Sequence, residues 1–111
     1  IEAFAEINRY HVSQIPYFLQ KLQETMEGDT HLLDKTMIVY GSPMGNPNVH
    51  NHKRCPLFIV GGANGALSGN LHVRAEPGTS MANVMLTLMH NLGLDDLENF
   101  GDSTSEFVFS A

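Results

Sequence analysis

Apolar residues in the first part of the chain recur every three or four positions. This spacing predicts an amphipathic helix over Glu2–Glu27, with Gly28 as its stop. We expect His11 to lie on the apolar face as a core histidine, and we expect Pro16 to kink the helix or to separate two shorter helices. The other members of that face are Phe4, Ile7, Ile15, Phe18, Leu22 and Met26.

Two later segments are apolar at nearly every position, as is typical of strands in a sheet that helices cover on both faces. Thr36–Tyr40 and Pro56–Val60 are therefore predicted to be neighbouring central strands, which we expect to be parallel. The glycine-rich segment 61–70 predicts a turn-rich connection. Leu71–Arg74 is a candidate edge strand, and Phe107–Phe109 is either a last edge strand or a docked tail.

A second helix is predicted from Ser80 to Leu92. A hydroxyl of Thr79 or Ser80 can accept a free N–H of the first turn, and Gly93 lies where a helix C-terminus favours a left-handed residue. The apolar face of this helix comprises Met81, Val84, Met85, Leu88, Met89 and Leu92. Strands and helices together predict an α/β fold, with residues 1–111 as a single domain.

Composition narrows the class of protein. Hydrophobic residues make up 42% of the 111 residues and charged residues 16%, below the usual quarter or so. The net charge of -6 argues against a surface for nucleic acid or for an anionic membrane. A single cysteine, Cys55, excludes an internal disulfide framework. No apolar run approaches the roughly 20 residues of a membrane span.

The N-terminus carries no secretion-signal pattern and begins within the helical pattern without an initiator methionine. We therefore expect this chain to be a fragment of a larger domain. Both predicted central strands need helices on both faces, but only two helices are predicted. The missing cover would come from an upstream part of the same protein or from a second copy of the chain.

The loop Gly41–Pro56 carries most of the polar chemistry of the chain. His50 and His52 are candidate metal ligands, because imidazole is the commonest protein ligand for zinc and similar ions. A metal site needs three or four protein ligands, and this loop does not visibly supply them. The alternative is that the two histidines are solvated or brace the loop through hydrogen bonds.

Three blocks of sequence resemble sulfatases and other enzymes of the alkaline-phosphatase-like clan. Leu33–Gly45 is similar to a strand and loop of these enzymes. In them a Leu-Asp-x-Thr motif is followed by an apolar strand and then by the sequence Ser-Asp-His-Gly. His50–Val60 resembles the histidine segment and Pro-led strand that follow. Thr79–Gly93 resembles their late helix, which ends in Leu-x-x-x-Gly.

A closer resemblance covers nearly the whole chain. The segments that carry it look like the C-terminal part of an uncharacterised bacterial family, catalogued as domain of unknown function 1552, in the same clan. These segments are Ile7–His11, Gly45–His52, Gly61–Gly62 and Phe100–Thr104. The resemblance implies the C-terminal portion of an alkaline-phosphatase-like doubly wound sheet with flanking helices. It also implies a longer parent protein that is periplasmic or secreted.

The resemblance implies an altered metal site. Pro43-Met44 occupies the position of the clan's metal-binding Asp-His pair, and neither side chain can replace those hard ligands. His50 or His52 would match the histidine that follows, and Asn46 and Asn48 would position substrate. The nucleophile and the remaining ligands would lie upstream, so this segment should not catalyse alone.

Two functions follow from this resemblance. The first is a hydrolase of phosphate or sulfate esters that uses a divalent metal such as zinc, manganese or calcium. The second is a non-catalytic binding or scaffold module of the same fold, with a small anionic ester or a carbohydrate as its ligand.

Overall fold

The computed structural model describes residues 1–109. The chain forms two compact units, Ile1–Leu67 and a second unit that begins at Ser68. Helices and small sheets occur together, so the broad prediction of a mixed α/β chain is confirmed. The assignment of residues 1–111 to one domain stays a prediction.

The first predicted helix forms as one element, α1, which spans Glu2–Glu24. Pro16 lies inside it, so the alternative of two separate helices is wrong. The helix ends before Thr25, which is extended and whose hydroxyl donates to the Lys21 carbonyl at 2.7 Å. His11 is exposed on α1, so its predicted core position is also wrong.

A small hairpin that the sequence did not reveal follows α1. Its strands are β1, Met26–Glu27, and β2, Thr30–His31, which pair antiparallel. Gly28, the predicted helix stop, has a φ of 63° and instead turns this hairpin. A glycine at the first position of a two-residue turn suits such a connection.

A short helix, α2, continues directly from this hairpin over Leu32–Lys35. The Lys35 ammonium lies 2.8 Å from the carboxylate of Glu27 and ties α2 to the hairpin. The first helix packs chiefly against α2 and β2. Its main contacts are therefore not with the two predicted central strands.

The two predicted central strands form as β3, Ile38–Gly41, and β4, Leu57–Val60, but they pair antiparallel. The expectation of parallel strands is wrong. A parallel pair requires a crossover connection, usually a helix, whereas residues 42–56 fold back as a hairpin loop. Ile38 lies opposite Val60, and Gly41 lies opposite Leu57.

The strands β3 and β4 are only half covered. Val39 and Phe58 are 39% and 38% exposed, so the described residues do not bury both faces of this pair. Both sheets within residues 1–109 have two strands. These residues alone therefore do not form the predicted doubly wound sheet.

The glycine-rich connection after β4 packs closely against α2. The Gly62 N–H donates to the Leu33 carbonyl at 3.0 Å. A Cβ atom at Gly61 would lie 2.1 Å from the Thr36 carbonyl oxygen, and one at Gly62 would lie 2.5 Å from that of Asp34. The two glycines therefore allow a close backbone approach, and the prediction of a turn-rich connection is confirmed.

The second unit contains the second predicted helix, α3, at Met81–Asn91. Ser80, rather than the preceding threonine, is the N-cap, and its Oγ accepts the Ala82 N–H at 3.1 Å. Gly93 is left-handed with a φ of 86°. The predicted bounds and caps of this helix are confirmed.

Neither predicted edge strand of the second unit forms within the described residues. Residues 71–74 have no regular structure, and the segment around Phe107 docks on α3, in agreement with the docked-tail alternative. The Thr104 N–H donates to Asn83 Oδ1 at 2.9 Å. Thr87 Oγ1 accepts the Phe107 N–H at 2.7 Å and donates to the Phe107 carbonyl at 2.9 Å.

Few apolar side chains are buried. Among residues 1–109 they are Ala63, Leu86 and Leu88. The apolar face of α1 stays open, with Phe4 49% and Ile7 54% exposed. None of the helices in the described residues has the length and apolar character needed to cross a bilayer.

A pair of leucines tests where the stability of the second unit originates. Leu86 is 3% exposed and Leu92 is 61% exposed. We expect Leu86→Ala to lower the free energy of unfolding by about 2–5 kcal/mol, because it removes buried methyl groups and leaves a cavity. Leu92→Ala should change it by about 0.5 kcal/mol or less. Urea titration of both variants measures this difference, and equal losses would contradict the burial of Leu86.

Candidate functional site

The loop between β3 and β4 is closed by backbone hydrogen bonds. The Ser42 N–H donates to the Pro56 carbonyl at 3.1 Å and extends the ladder of the two strands. Further along, Asn46 and Asn51 form an isolated antiparallel bridge, and the Gly45 N–H also donates to the Asn51 carbonyl at 2.9 Å. The loop is therefore an ordered hairpin end.

The tip of the loop is a 3₁₀ turn over Pro47–Val49. Asn46 caps it, because its Oδ1 accepts the Asn48 N–H at 3.1 Å. His50 ends the turn in the left-handed conformation, with a φ of 50°, which is uncommon for a residue other than glycine. The predicted ligand His50 thus lies exposed at the corner of the hairpin end.

His52 has a defined orientation. Its Nδ1 lies 2.9 Å from the Pro43 carbonyl oxygen. Because a carbonyl can only accept, Nδ1 carries the proton, and Nε2 of the neutral imidazole is the acceptor. No hydrogen bond from residues 1–109 reaches Nε2. This geometry resembles that of metal-bound histidines, which commonly donate their second ring N–H to a carbonyl or a carboxylate.

Cys55 shares the carbonyl that orients His52. Its Sγ lies 3.1 Å from the Pro43 oxygen and 3.2 Å from the His52 carbonyl oxygen. Both contacts are with carbonyl oxygens, to which a thiol can only donate, so they favour a structural role for Cys55. The sequence did not reveal that His52 and Cys55 converge on one carbonyl. The sequence signal for this contact was that His52 and Cys55 lie three positions apart in the same loop.

The two histidines do not complete a metal site with the other described residues. Within residues 1–109 no group of three or more His, Cys, Asp or Glu side chains could hold an ion. Two imidazoles are fewer than the three or four protein ligands of a typical zinc site. Any metal bound here therefore needs ligands from other residues.

The two asparagines predicted to position substrate differ in their surroundings. The side chain of Asn46 is engaged in the turn through its Oδ1. Asn48 is exposed, and its side chain makes no hydrogen bond to the described residues. Of the two, Asn48 has the amide that is available to a ligand.

Comparison of the chain with protein-family models, with curated proteins and with solved structures gave no match. The resemblance described in the sequence therefore stays a prediction.

Substitution of the two asparagines separates structure from binding. We expect Asn46→Ala to destabilise the loop by about 1 kcal/mol, because it removes the acceptor for the Asn48 N–H. Asn48→Ala should leave stability unchanged, since only its backbone takes part in the turn. Amide hydrogen exchange of residue 48 in both variants measures this effect. Equal protection in Asn46→Ala and in the unmodified chain would show that the cap is dispensable.

Proposed function

We propose that this chain supplies one wall of a metal site in a hydrolase of phosphate or sulfate esters, with His50 and His52 as ligands. The observation that carries the proposal is the orientation of His52, whose Nδ1 is bound to the Pro43 carbonyl. The resemblance to the alkaline-phosphatase-like clan suggests the reaction class and the fold of the complete protein. Both the nucleophile and the remaining ligands would come from an upstream part of the same protein.

Pro43-Met44 acquires a role in this proposal that its side chains could not provide. Neither side chain replaces the clan's Asp-His pair, but the Pro43 carbonyl fixes the tautomer and the direction of the His52 ring. In place of the clan's two metal ligands, this position would provide a backbone carbonyl that orients His52. The site is proposed to be rebuilt around His52.

The chemistry of the donors favours one type of ion. Imidazole nitrogens suit zinc and related transition metals, whereas calcium prefers oxygen ligands. Zinc is therefore the first candidate, manganese the second and calcium the third. A bound divalent ion would polarise the ester and stabilise charge that develops on its oxygen.

The setting of the complete protein follows from the resemblance alone. The parent is proposed to be periplasmic or secreted, and its substrate is proposed to be a small anionic ester. The open apolar face of α1 supports contact with an upstream part of the protein or with a second copy of the chain, because Phe4 and Ile7 are half exposed.

A second candidate function is a non-catalytic binding module for an anionic ester or a carbohydrate. Pro43-Met44 favours it, because the loop has lost two ligand side chains relative to the clan. In that case His50, His52 and Asn48 would bind the ligand directly through hydrogen bonds.

Metal binding by the complete gene product tests the first proposal. We expect stoichiometric zinc after careful purification. We expect the double variant His50→Ala/His52→Ala to lower zinc affinity by at least about tenfold, because mutating even a residue that only hydrogen-bonds to a metal ligand typically has an effect of this size. His72→Ala is the matched control, because His72 is exposed in the second unit and outside the loop. Elemental analysis and zinc titration provide the measurements.

The outcomes distinguish the alternatives. Unchanged zinc affinity in the double variant would exclude the histidines as ligands. Thermal stabilisation by phosphate or sulfate esters without turnover would favour the binding module. Loss of stability in the double variant, with no response to metal or esters in the unmodified protein, would leave only a loop-bracing role.

A further inference from the structure

A row of polar side chains along α3 and its N-cap binds the C-terminal segment 102–107. The row follows helical spacing and consists of Ser80, Asn83, Thr87 and His90. The Ser80 hydroxyl donates to the Asp102 carboxylate at 2.8 Å. Asn83 and Thr87 bind the backbone of Thr104 and Phe107. The segment is thus attached along the helix by side-chain hydrogen bonds, and it pairs with no strand of the described residues.

His90 closes this row, and both of its ring nitrogens are engaged. Nε2 lies 2.8 Å from the Leu97 carbonyl oxygen, and Nδ1 is paired with the Glu106 carboxylate. Since a carbonyl accepts only, Nε2 must carry a proton. An ionised carboxylate also accepts only, so Nδ1 must carry one as well. The observed contacts therefore describe an imidazolium paired with a carboxylate.

Loss of that proton removes one of the two contacts. A neutral imidazole that keeps its Nε2 proton for Leu97 turns an Nδ1 lone pair toward the Glu106 carboxylate, and two acceptors cannot form a hydrogen bond. Tautomerisation would restore the bond to Glu106 but would abandon the Leu97 carbonyl. The neutral ring cannot satisfy both partners while Glu106 is ionised.

Within the described residues, the charged groups that act on His90 are Glu106, from the docked segment, and Asp95, from the turn after α3. The hydrogen bond to Glu106 raises the pKa of His90 most, and the bond to the Leu97 carbonyl adds to this effect. Partial desolvation acts in the opposite direction. Both carboxylates favour the imidazolium.

We propose that His90 acts as a proton-controlled latch on the segment 102–107. The protonated imidazolium holds the segment on α3, and the neutral imidazole loosens this attachment. Asn83 and Thr87 do not titrate, so their bonds to Thr104 and Phe107 persist in part. Deprotonation is therefore a local opening that starts at Glu106 and leaves α3 intact. Opening uncovers the polar row, of which Asn83 is 6% exposed in the closed form.

The direction of the pH effect follows from linkage. The pKa of His90 in the closed form lies above its ordinary value of about 6.5, so the latch stabilises the closed form fully below that pH. The stabilisation is lost as pH rises through the raised pKa. A pH above this raised pKa therefore loosens the attachment of the segment.

Amide hydrogen exchange of the whole chain, followed by NMR across the titration of His90, tests the latch. We expect the protection factors of the Thr104 and Phe107 amides to fall with rising pH, by about tenfold for each unit by which the pKa of His90 in the closed form exceeds that in the open form. The amide of Leu88, inside α3, should keep its protection. If the protection factors of the Thr104 and Phe107 amides are the same below and above the titration of His90, the proposal is overturned.

Two variants distinguish the latch from a general pH effect. Glu106→Gln keeps a hydrogen-bonding side chain but removes the charge, so the pKa of His90 should move toward its ordinary value and the pH dependence of protection should become clearly weaker. His72→Gln alters an exposed histidine outside the row and should change nothing. Persistence of the full pH dependence in Glu106→Gln would also overturn the proposal. If that variant fails to fold, the titration of the unmodified chain decides alone.

Discussion

The antiparallel register of β3 and β4 determines what the polar loop between them can be. With Gly41 opposite Leu57, the chain enters and leaves residues 42–56 at the same end of the pair. The backbone then continues the ladder through Ser42 and Pro56 and closes again at Asn46 and Asn51. This closure places the Pro43 carbonyl within reach of His52. The orientation of the candidate ligand is therefore a consequence of strand pairing.

Hydrogen bonding of the backbone also organises the second unit, where side chains provide the partners for the backbone groups of an irregular segment. Buried or half-buried N–H groups need partners, and within residues 1–109 no strand lies beside the segment 102–107 to provide them. Asn83 and Thr87, on one face of α3, accept hydrogen bonds from these N–H groups instead. His90 extends the same face but adds charge, which makes the attachment sensitive to protons. The helix thus serves as a docking surface as well as a structural element.

The candidate site was only partly predictable from sequence. The composition of the loop identified His50 and His52 as the residues with ligand chemistry, but their roles depend on neighbours far along the chain. His52 meets a carbonyl nine positions earlier, and no local pattern encodes that distance. Asn46 looked equivalent to Asn48 until the turn engaged its side chain. The hydrogen bonding of His90 was equally hidden, because Glu106 lies sixteen positions away.

The sequence by itself determined the elements whose signals are local. The bounds of α3, its serine cap and its left-handed glycine were predictable because helix spacing and capping act within a few residues. The positions of β3 and β4 were predictable for the same reason. Tertiary structure alone decided that these strands run antiparallel and that the C-terminal segment lies on α3. Those outcomes depend on contacts between residues distant in sequence, where the apolar pattern permits several pairings and only the closing of backbone hydrogen bonds selects one.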